Sequence, residues 1–521
     1  MLQHILTHLP NRRWPLYGSS ATRRIEEAAL AQLPAHHLMR RAAQAVFNLG
    51  RALYPHARSV WIACGPGNNG GDGLLAAALW HTQLQSQGTE VCVTWTGQED
   101  RLPADARFAL QSARDAGVRF LTSPPERFDL AVDALLGVGI RSRTQGPVAE
   151  WMALLQDTEA PVLCVDLPSG LDPDTGHWHN DCPARPAGPR HTLSLLTLKP
   201  GLFTASGRDA AGDLWLDSLD CEPFAPADSE PDAYLNAAAP ARARHLSHDA
   251  HKGSHGDLHI LGGQDVRVTG QGMTGAALLA ARAGLTAGAG RVYVELLGPT
   301  VAPTLSVDWL YPELMFRNTS ELLQTDALAR ATTVCGCGGG LAVRECLPAV
   351  LAHSRQLVLD ADALNAIADN EDWQHQLVQR RDKLHTTIIT PHPLEAARLL
   401  GTDTCAIQRD RLAAARALAD RYQCVVVLKG SGSVLAAPRQ PLLINPTGNA
   451  LLATAGTGDV LAGLIGAYWC ARPTPEDPAR HWEHAFATAA QAAYRHGEVA
   501  TRWQGNAPLT ASTLIGLLGP A

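Results

Sequence analysis

The sequence has no uninterrupted apolar run long enough to cross a bilayer, which excludes a helical membrane span. Its opening, MLQHILTHLPNRRW, lacks the basic region, long apolar stretch and small-residue cleavage site of a secretory leader. Basic charge is not in surplus. The 43 Lys and Arg face 50 Asp and Glu, and the resulting net charge of -7 gives no footprint for nucleic acid. The 11 cysteines are odd in number and have no framework spacing, which suits a reducing cytoplasm better than a disulfide scaffold. The close pair Cys335-x-Cys337 has no second Cys or His pair nearby and reads as two small buried residues at a strand end, not as a zinc site. His392, between two prolines, has no His-x-x-x-His or Glu partner and reads as a contact residue, not a metal ligand. No repeat relates the two halves of the chain.

What is present is a globular composition, 46% hydrophobic and 18% charged, over 521 residues. At roughly 100–200 residues per domain that length holds two to four domains. In the first half, short apolar runs alternate with helical stretches. The runs are SVWIAC (59–64), TEVCVTW (89–95), LAVDALLG (130–137), PVLCVDLPSG (161–170) and HTLSLLTL (191–198), with helices such as 104–116 and 148–156 between them. Such alternation predicts a parallel sheet with helices on both faces and ligands at the carboxyl ends of the strands. The proline- and alanine-rich segment 220–245 reads as a linker between domains 1–219 and 246–521. The second domain is also α/β, with strands at 257–263, 291–297, 332–338, 356–362, 386–392, 424–430 and 433–437 and a helix with a small-residue face over 275–290.

Two stretches carry the chemistry. CGPGNNGGDG (64–73) reads as a glycine loop leading from the first strand into a helix that begins at Gly73. Strand-end loops add Asp133, Asp166 and Ser169. Asn69, Asp133 and Ser169 offer oxygen ligands suited to a hard cation, although Asp and Ser after strands also serve as helix caps. In the second half, AGTGD (455–459) before an apolar helix places Gly456 and Gly458 at a helix start and Asp459 in its first turn. Backbone N–H groups there suit a phosphate, and Asp459 suits a proton acceptor in phosphoryl transfer. The plainer role for Asp459 is to complement the helix dipole. Lys429, opening KGSGS, reads as a nucleotide contact or as a solvated strand-end lysine.

The ordered motifs GNNGGDG, VDALLGVG, DLPSGL with Thr175-Gly176, and KPGL (199–202) resemble the YjeF N-terminal domain family over most of residues 20–220. The resemblance implies a Rossmann-like three-layer αβα domain with NAD(P)H-hydrate epimerase activity. It implies that Asn68, Asn69, Gly70, Gly71 and Asp72, with the loop Gly137, Val138, Gly139, Ile140, Arg141, Ser142 and Arg143, hold the hydrate. It also implies potassium at Asn69, Asp133 and Ser169, and Asp166 as the proton-transfer group. Val138 stands where the family usually has Thr, and LMRRAAQ (38–44) only loosely matches the family's opening helix.

AGTGD, TPHPLEAARLL (390–400), LDADALN (359–365), HKGSHG (251–256) and PELMF (312–316) resemble the YjeF C-terminal family over nearly all of 245–521. That resemblance implies a ribokinase-like fold and an ADP- or ATP-dependent NAD(P)H-hydrate dehydratase. Ala276, Gly338, His392 and Asp459 are then expected at the hydrate. Lys429, Gly430, Ser431, Gly432, Ser433 and Gly458 are expected at the nucleotide, with ADP as co-substrate, magnesium at its phosphates, and a homo-oligomer of tetrameric or higher order. GCGGG (336–340) and AGTGD depart from the family's GPGLG and GGTGD. The competing expectation is a ribokinase-group kinase for a vitamin-precursor alcohol, fused to a binding domain.

Overall fold

The computed structural model describes residues 2–5, 12–140, 142–180, 185–221, 229–237, 248–298, 306–472, 475–477 and 480–519. The chain falls into two compact units, one spanning Trp14–Tyr234 together with the strand Gln3–His4, the other running on from Leu235. The division lies inside the segment read as a linker, of which 222–228 and 238–245 are outside the described residues.

The first unit is built on one sheet in the order Gln3–His4, Asp213–Asp217, Arg190–Leu195, Val162–Val165, Leu130–Ala134, Ser59–Cys64, Glu90–Trp95, Arg119–Leu121. All neighbours are parallel except the first pair. The strand Ser59–Cys64 shows why both faces are covered. Val60, Ile62 and Cys64 enter one apolar core, with Phe47 of helix His37–Leu53, Trp80 of helix Asn68–Leu84 and Leu110 of helix Ala104–Asp115. Trp61 and Ala63 enter another, with Trp151, Met152 and Leu155 of helix Pro147–Asp157. A strand apolar on both faces needs a helix layer on each. The expected three-layer α/β architecture is therefore observed. Ser59–Cys64 has Glu90–Trp95 on one side and Leu130–Ala134 on the other, so the chain reverses its direction of winding there. That reversal opens a crevice at the carboxyl ends of Ser59–Cys64 and Leu130–Ala134.

The glycine-rich stretch differs from its sequence reading. The helix begins at Asn68, not Gly73, with Gly67 as its cap, so most of the expected loop is the first turns of a helix. None of Gly65, Gly67, Gly70, Gly71 or Gly73 has a positive φ. What they supply is the missing side chain. A Cβ on Gly65 would lie 1.7 Å from the Leu135 carbonyl oxygen, one on Gly70 2.0 Å from the Gly65 carbonyl oxygen, and one on Gly73 2.5 Å from Ala134 Cβ. The helix start is pressed onto the strand ends, and only glycine leaves room for it.

In the second unit the parallel strands follow the order Met315–Phe316, Arg291–Leu296, Asp257–Gly262, Thr332–Cys335, Gln356–Leu359, Thr386–Ile389, Val425–Leu428. Val434–Ala436 and Leu442–Ile444 continue the sheet antiparallel. Winding reverses at Asp257–Gly262, between Arg291–Leu296 and Thr332–Cys335. The helices Thr274–Thr286 and Thr457–Cys470 pack face to face, and a Cβ on Gly463 would lie 2.0 Å from the Ala280 carbonyl oxygen. The small-residue face of the first helix is the consequence of that close approach.

Candidate active sites

The crevice of the first unit opens into a cavity of about 400 Å³. Asp166, the residue after strand Val162–Val165, lies on its wall with a left-handed φ of 69°. Its Oδ1 accepts hydrogen bonds from Lys199 Nζ and, at 3.1 Å, from Leu195 N. Lys199 is fully buried, and its ammonium also donates to the carbonyl oxygens of Leu195 at 2.8 Å and Thr197 at 3.0 Å. A buried ammonium saturated in this way holds the Asp166 carboxylate in place by a charge-assisted hydrogen bond.

Glu26, from helix Ser19–Leu30, lines the same cavity. Burial raises its pKa, Asp166 raises it further, and Lys199 and Arg23 partly oppose the rise. Asp72 is also on the wall and is pushed well above the usual carboxylate range by burial, then by Asp166, Glu26 and Asp105. Asn68, Asn69 and the segment Gly137–Ile140 complete the pocket, and Arg23 Nη2 donates to the Val138 carbonyl oxygen at 3.2 Å. Gly70 and Gly71 face inward, against Gly65 and Met39. Ser142 and Arg143 are exposed and do not line the cavity, and Arg141 lies outside the described residues.

Two of the three expected cation ligands touch. Ser169 Oγ donates to Asp133 Oδ1 at 2.5 Å and Ser169 N to Asp133 Oδ2 at 2.9 Å, while Leu136 N donates to Ser169 Oγ at 2.9 Å. Burial raises the Asp133 pKa against the hydrogen bonds from Ser169 and Leu135. Asn69 packs on Gly137, the next residue along that loop, and its Nδ2 is buried with no hydrogen-bond partner among the described residues. Turning the amide over would present Oδ1 there instead. An oxygen-donor set containing an orphaned amide fits a hard cation.

In the second unit, Asp459 is the third residue of helix Thr457–Cys470, whose cap Gly456 has a φ of 89°. Its carboxylate, that of Asp360 and the thiol of Cys337 have ligand atoms within 4.8 Å of one another. Asp360 follows strand Gln356–Leu359 and is buried, accepting hydrogen bonds from Thr390 Oγ1 and Lys429 Nζ, each at 2.7 Å. Burial, then Asp360, lifts Asp459 to about 7, against Lys429 and the Cys337 hydrogen bond. For Lys429 itself burial opposes the charge, but Asp360 and Glu395 outweigh it and raise its pKa.

Gly338, with φ 57°, touches Ala276: a Cβ on Gly338 would meet Ala276 Cβ at 2.8 Å. His392 does have the acidic partner that its sequence reading denied it. Its Nε2 is 3.0 Å from Glu395 Oε1, and its Nδ1 accepts from Leu394 N and Glu395 N, capping helix Pro393–Leu400. One helical turn brings i and i+3 together, which the chain order concealed. In the segment Lys429–Ser433, Gly430 and Gly432 have positive φ, and buried Arg411 donates from beneath to the carbonyl oxygens of Leu428 and Lys429. Gly458 faces Lys429: a Cβ there would lie 3.4 Å from Nζ.

Sequence reasoning passed over five residues of these sites: Arg23, Glu26, Lys199, Cys337 and Asp360. Lys199 and Asp360 stood inside quoted motifs, and Cys337 was read only as packing. Glu26 carries no local mark.

A family model described as NAD(P)H-hydrate dehydratase matches residues 258–517, and one described as YjeF-related protein N-terminus matches residues 35–201. The bifunctional NAD(P)H-hydrate repair enzyme Nnr of Escherichia coli K12 is 36% identical over 486 residues, covering 90% of this chain and 87% of that protein. The protein of the same name from Coxiella burnetii is 34% identical over 469 residues, covering 87% of this chain and 89% of its own. A bifunctional NAD(P)H-hydrate repair enzyme of Leishmania braziliensis is 34% identical, covering 82% of this chain and 79% of its own.

Proposed function

The chain belongs to the bifunctional NAD(P)H-hydrate repair enzymes, an isomerase and a lyase in one polypeptide, and from that premise we propose how its residues divide the work. Such an enzyme interconverts the R and S hydrates of NADH and NADPH and returns the S form to the working coenzyme. We assign epimerisation to Asp166 in the first unit and dehydration to Asp459 in the second.

The observation that carries the second assignment is the state of Asp459. A carboxylate lifted to about 7 beside Asp360, at a helix start, is poised to accept a proton near neutral pH. It takes the proton of the hydrate's hydroxyl as that oxygen attacks the terminal phosphorus of the nucleotide. Phosphate then leaves where hydroxide could not, the ring nitrogen lone pair closes a C=N bond, and loss of a proton from the neighbouring ring carbon to water restores the ring double bond. With ADP the other products are AMP and phosphate. Lys429 balances the negative charge of the pocket, and the amide end of helix Thr457–Cys470 faces the phosphoryl group. Magnesium, bound with the nucleotide, supplies charge neutralisation at the phosphates.

In the first unit, Asn69, Asp133 and Ser169 are the residues that would hold potassium, which supplies a fixed charge beside the Gly137–Ile140 loop. Asn68 and Asp72 take the hydrate with that loop. A cytoplasmic location, which rests on the cysteine pattern, and a homo-oligomeric assembly, which rests on the resemblance, belong to the same proposal.

The test follows the near-ultraviolet absorbance of reduced nicotinamide with mixed R and S hydrates, magnesium, potassium and either ADP or ATP. Full recovery with ADP is expected. Recovery that halts when the S form is spent would remove the epimerase assignment. No recovery with either nucleotide, with a stable phosphorylated product from an added alcohol, would favour the kinase reading.

A further inference from the structure

Water adds to an enamine so that the hydroxyl ends on the carbon bonded to nitrogen. That carbon is the stereocentre the first unit must invert. Inversion needs its C–O bond to break and a new one to form on the other face of the ring. As the bond breaks, its electron pair leaves with oxygen, and the nitrogen lone pair closes a C=N bond. The departing oxygen needs a proton on one face, and the entering water must lose one on the other. A single carboxylate reaches one face.

The cavity holds more than one acid, and their surroundings differ. Asp166 is bonded by Lys199 and by Leu195 N. Glu26 comes from another element, helix Ser19–Leu30, and no hydrogen-bond donor to its carboxylate is found among the described residues. The charged groups acting on Glu26 are Asp166, Lys199, Arg23 and Glu27, two cations against two anions, and Glu26 in turn acts on Asp72. Asp72 is a poorer candidate because Asp166, Glu26 and Asp105, all acids, act on it. Two carboxyl groups of one cavity in different surroundings can divide the roles of acid and base.

We propose that Glu26 is the second proton-transfer group of the epimerase, working on the ring face opposite Asp166. Glu26 gives its proton to the departing hydroxyl, which leaves as water. Water then adds to the C=N carbon from the other face and passes a proton to Asp166. The enzyme is left with Glu26 ionised and Asp166 protonated, the state that turns over the opposite epimer, and proton exchange with water restores the pair when turnover runs in one direction. This rests on the epimerase assignment of the first unit.

The test uses the full chain with ADP, magnesium and mixed hydrates, in which absorbance returns in a fast phase from the S form and a slower one limited by epimerisation. E26Q is expected to slow the second phase by about 100-fold or more and leave the first unchanged. The kcat/KM profile of the second phase should lose its falling limb, because Gln cannot lose a proton as pH rises. A merely structural role would lower stability without changing the shape of that profile. If E26Q fails to fold, E26D decides, with a slowed second phase and a displaced falling limb expected. A second phase within about threefold of the parent enzyme, with both limbs in place, overturns the role of Glu26. If the parent enzyme itself shows no second phase above the spontaneous rate, the epimerase assignment fails first.

Discussion

Lys429 Nζ lies 2.7 Å from Asp360 Oδ1, and the pair sits beside Asp459 in the second unit. Lys429 was expected at the nucleotide. Its ammonium bonds Asp360, and the backbone of Lys429–Ser433 forms the glycine-bearing turn over Arg411.

Burial, then Asp360, sets the pH response of dehydration through Asp459. Asp459 acts as a base only when ionised, and its pKa is about 7. The dehydration rate should therefore rise with pH through about 7 and level off above it. D459N should lower kcat by about 100- to 10,000-fold and leave epimerisation intact. An unshifted rising limb near pH 4 would refute the account.

Lys429 opposes the rise in Asp459's pKa, so K429M should move the rising limb to higher pH. It should also destabilise the second unit by about 3–5 kcal/mol, since Asp360 would be left buried and unpaired. Denaturant unfolding and the pH profile measure the two effects separately. A limb that stays in place would show that Lys429 does not act on Asp459.

The two glycines at the turn into helix Asn68–Leu84 should behave differently. In G65A the new Cβ falls 1.7 Å from the Leu135 carbonyl oxygen, so the strand-end loop must move. A loss of about 1–3 kcal/mol is expected, together with weakened epimerisation. Gly67 has nothing within 4 Å of a Cβ and a φ of -107°, so G67A should be neutral in thermal unfolding. Equal effects would contradict the packing explanation.

Glu295 gives a stability prediction away from both sites. It is buried in strand Arg291–Leu296, with Oε1 accepting from Thr319 Oγ1 and Oε2 without a partner among the described residues, and burial raises it to about 7. A carboxyl raised on folding costs nothing while both states are protonated. The cost grows as pH rises from its ordinary value of 4.5 to about 7 and is complete above that. E295Q should therefore stabilise by about 1–3 kcal/mol at pH 8 and by little at pH 4, read from unfolding midpoints. Stabilisation of equal size at both values would rule out charge burial as its cause.

Replacing potassium by a large organic cation should slow epimerisation and spare dehydration, and D133N should remove the difference between the two salts. A D133N enzyme that still responds to potassium would place the ion elsewhere.

Strands such as Ser59–Cys64 and Val425–Leu428 were legible because their residues are apolar on both faces. Arg119–Leu121 and Asp213–Asp217 were not, being short or polar at one face. The helix start at Asn68 was hidden because glycine spacing looks the same whether it serves a bend or a tight contact. Asp459 was legible from the helix that follows it. Asp360, Lys199 and Glu26 matter through partners 69, 33 and further residues away in sequence, and no local pattern carries such distances.

The reversal of winding in the first unit has a kinetic consequence. Ala63 and Asp133, partners across the crevice, are joined through the intervening strands Glu90–Trp95 and Arg119–Leu121, so the pocket floor forms only after a long loop closes. A chain stopped before Leu130 has the glycine turn but no crevice. During refolding, the return of epimerase activity should lag behind the return of helical signal, which makes catalysis a reporter of the last long-range strand pairing.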